Sequence, residues 1–415
     1  MKKLELIGCP LGHSWSPQIH KLLIGAEYSL HELKEEYLDT YMRAKDFDGI
    51  NVTIPYKQKV IPYLDEIDPA AEKIGAVNCI VNDHGILKGY NTDWIGFSKM
   101  TENAGIDVSG KRCAVLGSGG ASKAVCAALE AMGASYDIIS RTKSAHTRTY
   151  EELYAGAEDY RILVNTTPVG MAPHTKESPV TLEPFTNLEA VIDVIANPLR
   201  THLLYDAKCR GLKTLGGFEM LVRQAAAADL FFTGEEPSEE TIQACMAKLR
   251  NERTNIVLVG MPTSGKTTFA QMLSEVTKRA YVEMDDEIVC RMGMDIPTCF
   301  KEKGEAYFRR MECETAKDNA QGTGKIISCG GGVIKTPETM RYLAENGTIV
   351  WLQRDLALLY ASDSRPLSKD VTALKQLYRE RLPLYRMYSD VQVNNNGTIE
   401  ETLKQLIAVA EGVQP

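Results

Sequence analysis

Gly260-Met261-Pro262-Thr263-Ser264-Gly265-Lys266-Thr267 decides the fold of the last third of the chain. It follows the apolar run Ile256–Val259 and precedes a helical pattern over Thr268–Thr277. A glycine-rich loop in that setting wraps the phosphates of a nucleoside triphosphate. Backbone N–H groups between Gly260 and Thr268 cradle the phosphates, Lys266 reaches the β and γ oxygens, and the Thr267 hydroxyl ligates Mg2+. The loop alone leaves hydrolase, switch and small-molecule kinase open. The roughly 160 residues around it leave no room for large effector domains.

A second glycine loop of different design lies upstream, Val115-Leu116-Gly117-Ser118-Gly119-Gly120-Ala121. It follows a strand and opens a helix, the setting in which such a loop holds the pyrophosphate of a dinucleotide. Gly117 allows the tight turn, Gly119 lets the backbone approach the ligand, and Ser122 is small enough for close packing. A bare G-x-G is also an ordinary turn, so the context carries the assignment. Asp137 lies about 20 residues after Gly117, the nominal spacing for an acid gripping a ribose diol. Ile138 and Ile139 continue the strand past it, and the strand ends in Ser140-Arg141-Thr142-Lys143. Those cations suit a 2′-phosphate, which favours NADP(H) over NAD.

Bulk properties fit an ordinary globular protein of several domains. The 415 residues suggest about three domains. Apolar residues make up 44% and charged residues 25%, ordinary values for a globular protein. A net charge of −8 gives no sign of a nucleic-acid or membrane surface. The ten cysteines are scattered without C-x-x-C pairs or metal-binding spacing, as expected of reduced thiols. The opening Met1-Lys2-Lys3-Leu4-Glu5 is not followed by a long apolar stretch. No signal peptide is therefore expected, and a cytoplasmic location is. No protein partner is implied.

Strand and helix patterns alternate almost throughout, which predicts an α/β architecture with parallel sheets. Strands are expected at Leu4–Ile7, Gly49–Thr53, Cys113–Leu116, Tyr136–Ser140, Ile162–Asn165 and Val191–Val194. Further strands are expected at Asn255–Val259, Lys325–Ser328 and Thr348–Leu352. Asp93 to Ala104 reads as a helix stopped by Gly105. Ser238 reads as an N-cap, with Glu239 and Glu240 in the first turn and Lys248 and Arg250 in the last. A domain boundary then falls near residues 251–254, with a short polar joint.

Four patches upstream of the dinucleotide loop are rich in hydroxyl and amide groups. They are Gly8-Cys9-Pro10-Leu11-Gly12-His13-Ser14-Trp15-Ser16-Pro17, Gly49-Ile50-Asn51-Val52-Thr53-Ile54-Pro55-Tyr56-Lys57, Gly75-Ala76-Val77-Asn78 and Asn91-Thr92-Asp93. Such groups suit a small polyhydroxylated substrate, whose buried hydroxyls each need a partner. Lys57 and Asp93 are the one pair among them able to move protons. Taken singly, the patches also read as N-caps, turns and a surface lysine.

In order and spacing these patches resemble shikimate dehydrogenase over roughly residues 1–250. The resemblance implies that Ser14, Ser16, Asn78, Asn91 and Gln224 hold the substrate carboxylate and hydroxyls. It implies that Thr53 lines the site and that Lys57 and Asp93 are the catalytic pair. Gly217-Phe218-Glu219-Met220-Leu221-Val222-Arg223-Gln224 matches the family's C-terminal helix motif, and Asn165-Thr166-Thr167-Pro168-Val169-Gly170-Met171 its cofactor-side loop. Gly117–Ala121 with Ser140, Arg141 and Thr142 would bind NADP(H). Two positions depart from the pattern: Ala196 stands where Tyr is frequent, and Ser140 where Asn is common.

Residues 255–415 resemble shikimate kinase through Glu283-Met284-Asp285, Phe308-Arg309-Arg310-Met311-Glu312, Gly330-Gly331-Gly332, Arg365-Pro366-Leu367 and Arg381-Leu382-Pro383-Leu384-Tyr385. The resemblance implies that Arg309, Arg381 and the Gly330–Gly332 backbone grip shikimate, two guanidiniums suiting a carboxylate. Asp285 would accept or orient the 3-hydroxyl proton, Thr267 and Glu283 would serve Mg2+, and Arg365 would close over the transferring phosphoryl group of ATP. Glu283 replaces the usual first Asp of D-x-D, and Thr263 stands where the loop usually carries Gly.

The implied organisation is a substrate domain over 1–104, completed by helices at about 218–250, a Rossmann NADP domain over 105–217 and a P-loop kinase domain over 254–415. The implied activity is reduction of 3-dehydroshikimate to shikimate by NADPH, then phosphorylation of shikimate by ATP. Two rivals stay open. One half could be a degenerate binding or regulatory module, for which Ala196, Glu283 and Thr263 speak. The dehydrogenase half could instead act on quinate, against which Arg141 speaks if NAD is the cofactor.

Overall fold

Three sheets organise the chain in a computed structural model that describes residues 2–12, 14–359 and 371–413. Arg365 and its neighbours, and His13, lie outside the described residues. The chain divides into two compact units, Met1–Met246 and Ala247–Pro415. The division falls inside the helix Glu239–Arg253. Ser238 caps that helix, its Oγ accepting from Thr241 N at 3.2 Å. The joint between the helix and the next strand is Thr254 alone.

The first unit holds two sheets. The first is mixed, with β1 Leu4–Gly8, β2 Tyr28–Glu32, β3 Gly49–Val52, β4 Glu66–Ile67, β5 Cys79–Asp83 and β6 Ile86–Tyr90 in the order β2-β1-β3-β5-β6-β4. The pairs β3–β5 and β5–β6 are antiparallel. The second is fully parallel, with β7 Arg112–Leu116, β8 Ser135–Ile139, β9 Ile162–Asn165, β10 Ala190–Asp193 and β11 Lys213–Gly216 in the order β11-β10-β9-β7-β8. Both of its faces are covered. Cys113 and Val115 point into one core with Val125 and Leu129, while Ala114 and Leu116 point into another with Leu153 and Leu203. That alternation is the period-2 pleat of a strand buried on both sides. The order reverses between β7 and β9, and a crevice outside the strand ends at such a point is where ligands bind.

The second unit carries β12 Asn255–Val259, β13 Tyr281–Glu283, β14 Ile326–Ser328, β15 Gly347–Gln353 and β16 Val391–Asn394, all parallel in the order β13-β14-β12-β15-β16. The triphosphate loop leaves the end of the central strand β12 and enters the helix Lys266–Thr277.

Every strand expected from the sequence is present, with ends shifted by a residue at most of them. The strands β2, β4, β5, β6, β11 and β16 were not expected. Most of these are edge or antiparallel strands whose residues are partly exposed. Tyr28–Glu32, for example, has no fully buried residue, so its pattern lacks the apolar run of a central strand.

Candidate active sites

The first site is built at the ends of β3, β5 and β6. Lys57 Nζ donates to Asp93 Oδ2 at 2.6 Å, with both side chains largely sheltered from solvent. Asp93 opens the helix Asp93–Asn103, where a carboxylate faces the positive end of the helix dipole. Asn91 Oδ1 accepts from Asp93 N at 3.1 Å and fixes that turn. Asn78 Nδ2 donates to the other Asp93 oxygen at 2.9 Å and to Thr92 Oγ1 at 3.0 Å. Lys57 O accepts from Val77 N at 2.8 Å, which holds the lysine loop against the Asn78 segment.

Gln224 reaches this cluster from the helix Phe218–Thr233. Its Oε1 lies 3.3 Å from Thr92 Oγ1 and 3.5 Å from Asn78 Nδ2. Gly96 permits the approach: a Cβ there would stand 2.8 Å from Met220 O and 3.1 Å from Gln224 Cβ. Ser14 Oγ and Ser16 Oγ are 3.1 Å apart at the start of the helix Ser16–Ile24. Thr53 packs against the backbone of Gly8, where an added Cβ would lie 2.4 Å from its methyl group.

The dinucleotide loop borders the same cluster. Gly117 has φ +105°, and a Cβ there would sit 2.9 Å from Thr166 Oγ1, so the loop after β9 leaves room only for glycine. Gly119 caps the helix Gly120–Ala131, and a Cβ on it would meet nothing within 4 Å. This open cradle at a helix N-terminus fits a pyrophosphate. A Cβ on Gly120 would lie 3.5 Å from Lys57 Cδ. The glycine loop therefore runs within about a methyl group of the Lys57 side chain, which no motif predicted. Asp137 is occupied elsewhere: Arg112 Nε at 2.9 Å, Arg148 Nε at 2.8 Å and Tyr160 OH at 2.9 Å all donate to it. Arg141 is exposed beyond the end of β8.

The second site is a cavity of about 500 Å3. Gly265, Lys266, Thr267, Thr268, Glu283, Asp285, Arg309, Gly330–Gly332 and Arg381 all line it. The three glycines are demanded by close approach rather than by dihedral angles. A Cβ on Gly330 would sit 2.6 Å from Asp285 Oδ1, on Gly331 3.2 Å from Arg381 Nη1, and on Gly332 2.4 Å from Arg309 Nη2. Each glycine therefore faces one of the expected substrate residues. Arg381 Nη1 and Tyr385 OH both donate to Gly331 O, at 2.7 and 2.8 Å. Arg381 Nε is buried without a partner among the described residues, a donor left over for an anion.

Arg309 Nη1 donates to both oxygens of Glu312, at 2.8 and 3.0 Å, and Arg309 Nη2 to Glu305 at 3.1 Å. Burial pushes the Glu312 carboxyl up to about 7, against the pull of Arg309. The sequence signal for this pairing is the place of Glu312 three residues after Arg309 on one helix. In the triphosphate loop, Lys266 Nζ donates to Gly260 O at 3.1 Å and Met261 O at 2.9 Å. Thr263 has φ +64°, a conformation that accounts for glycine being usual there. Thr267 and Glu283 border the same space as Lys266, which fits a hydrated Mg2+ held with the phosphates. Among the described residues no cluster of three His, Cys, Asp or Glu could hold a metal alone, and no helix is long and apolar enough to cross a membrane.

These two sites define a Rossmann-type oxidoreductase and a P-loop phosphotransferase on one chain. Known proteins narrow both classes. A family model described as the shikimate dehydrogenase substrate binding domain matches residues 6–80, and one described as shikimate kinase matches residues 262–411. A shikimate dehydrogenase (NADP(+)) of Halothermothrix orenii is 41% identical over 262 residues, covering 56% of this chain and 91% of that protein. The crystal structure of shikimate dehydrogenase 1 from Peptoclostridium difficile has a TM-score of 0.56 at 37% identity, over 60% of this chain and 98% of that one. A Thermus thermophilus shikimate 5-dehydrogenase, solved with NADP(H) and shikimate, has a TM-score of 0.55 at 31% identity, over 60% and 99%. The chain belongs to the shikimate dehydrogenase family and continues into a shikimate kinase domain.

Proposed function

We propose that this chain performs two consecutive reactions on one carbon ring. It reduces 3-dehydroshikimate to shikimate with NADPH, then phosphorylates shikimate to shikimate 3-phosphate with ATP and Mg2+, on the route to chorismate and the aromatic amino acids. The observation that carries this is the pairing of chemistry with cradle in each unit. Lys57, bonded to Asp93, lies near the Gly120 backbone, and Asp285, Arg309 and Arg381 lie against Gly330–Gly332 in the cavity of Lys266. We assign the substrate lobe to residues 1–104 with the helices at about 218–250, the NADP lobe to 105–217 and the kinase to 254–415. Ten free cysteines suit the reducing cytoplasm, where we place the enzyme.

Bound NADPH supplies the hydride in the first reaction. Lys57 Nζ polarises the C3 carbonyl oxygen and gives it a proton, and Asp93 orients that ammonium and relays the proton. Ser14, Ser16, Asn78, Asn91 and Gln224 take the carboxylate and ring hydroxyls, and Thr53 closes the wall. Arg141 pairs with the 2′-phosphate, with Ser140 and Thr142 beside it.

In the second reaction Lys266 and the loop N–H groups hold the β- and γ-phosphates, and Thr267 and Glu283 serve the Mg2+. Arg309 and Arg381 fix the substrate carboxylate. Asp285 accepts the proton of the attacking 3-hydroxyl. Arg365, outside the described residues, is assigned to the transferring phosphoryl group by its motif alone. The test assays each half separately on the purified chain. NADPH oxidation should require 3-dehydroshikimate and ADP release should require shikimate; failure of either removes that half.

A further inference from the structure

A buried acid–base pair lies behind the first site and takes no part in the chemistry above. His20 Nδ1 and Asp229 Oδ1 are 2.6 Å apart with one proton between them, and their side chains are 1% and 0% exposed. Asp229 Oδ2 is buried without a hydrogen-bond partner among the described residues. Such a pair is a poor source of stability: apolar residues of similar volume would pack there at less cost, and the orphan oxygen adds a desolvation penalty. Its placement points instead to geometry.

His20 lies one turn along the helix that starts at Ser16. Asp229 lies on the helix that carries Gln224. The His20 ring stacks on Tyr28 with centroids 4.1 Å apart. Tyr28 OH donates to Asn51 Oδ1 at 2.7 Å, and Asn51 Nδ2 donates to Asn78 O at 3.2 Å. Asn78 in turn holds Asp93. The pair therefore ties together two substrate-bearing helices and leads, through Tyr28 and Asn51, to the backbone of Asn78, the residue whose side-chain amide seats the catalytic carboxylate.

We propose that His20 and Asp229 are positioning residues that set the spacing of Ser16 and Gln224 across the substrate. This rests on the dehydrogenase function proposed above. A directional hydrogen bond between two helices fixes their relative translation, which apolar packing alone specifies less tightly.

The test is steady-state kinetics of the full chain carrying His20→Leu, Asp229→Leu, His20→Gln or Asp229→Asn. In both leucine variants KM for 3-dehydroshikimate should rise about tenfold, roughly 1.4 kcal/mol, with kcat within about threefold and KM for NADPH unchanged. The Gln and Asn variants keep a hydrogen-bonding group of similar size and should show a smaller rise, about threefold. A pair that only supported the fold would lower the active fraction, and so the apparent kcat, while leaving KM alone; that result overturns the proposal. If the leucine variants do not fold, the Gln and Asn variants decide, a raised KM supporting the proposal and a wild-type KM overturning it. A wild-type chain that fails to reduce 3-dehydroshikimate overturns the underlying function, and the proposal with it.

Discussion

Gly120 passes so close to Lys57 that an added Cβ would lie 3.5 Å from the lysine Cδ. The first residue of the helix Gly120–Ala131 thus lies about a methyl group away from the side chain whose ammonium is bound to Asp93. This approach puts the loop proposed to hold NADPH next to the lysine proposed to give the proton. Positioned acid–base groups contribute about 10²–10⁴-fold to rate. Lys57→Ala should lower kcat for NADPH oxidation by about that factor with KM little changed, since the substrate-binding amides remain. A near-wild-type kcat would remove Lys57 from the chemistry.

The kinase glycines give a separable prediction. Gly332→Ala would drive a methyl group to 2.4 Å from Arg309 Nη2, and Glu305 and Glu312 hold that guanidinium in place. Arg309 cannot retreat without breaking its ion pairs. The KM for shikimate in ADP release should rise about tenfold or more, with NADPH turnover unchanged. An unaltered KM would separate Arg309 from substrate binding.

Lys266→Ala should abolish phosphoryl transfer and leave the NADPH reaction intact, because Lys266 lines the second cavity with the triphosphate loop. Loss of both activities in a folded variant would contradict two independent sites.

Arg141 is the residue proposed to set cofactor choice. Asp137 has its oxygens engaged by Arg112, Arg148 and Tyr160, so it is not free to grip a ribose diol. Arg141→Ala should raise KM for NADPH about tenfold and leave activity with NADH nearly unchanged. Equal effects on both cofactors would place the 2′-phosphate elsewhere.

Glu312 sets a pH dependence. Its carboxyl is raised from an ordinary value near 4.5 to about 7, chiefly by burial. Between those values the folded state binds more protons than the unfolded one, so stability falls as pH rises through the window. Denaturation of the wild type and of Glu312→Gln should show a stability difference that shifts against the wild type from about pH 4.5 to 7 and is flat above. A difference independent of pH would mean that Glu312 is ionised throughout.

Much of this was legible in the sequence because central parallel strands are apolar runs and phosphate loops have fixed spacing. Gly117, Gly119, Gly260, Gly265 and Lys266 announced themselves in that way. The edge strands did not, since residues such as those of β2 are half-exposed and lose the pattern. The approach of Gly120 to Lys57 and the pairing of His20 with Asp229 join residues far apart in the chain, so no local spacing encodes them. Glu312 was visible as a helical neighbour of Arg309, but its burial was not.

The most direct test of two sites serving one ring supplies the purified chain with 3-dehydroshikimate, NADPH, ATP and Mg2+ together. NADPH should be consumed and ADP released, with ADP release vanishing when NADPH is withheld and returning when shikimate is added. ADP release that ignores both NADPH and shikimate, or none under any of these conditions, would contradict the account.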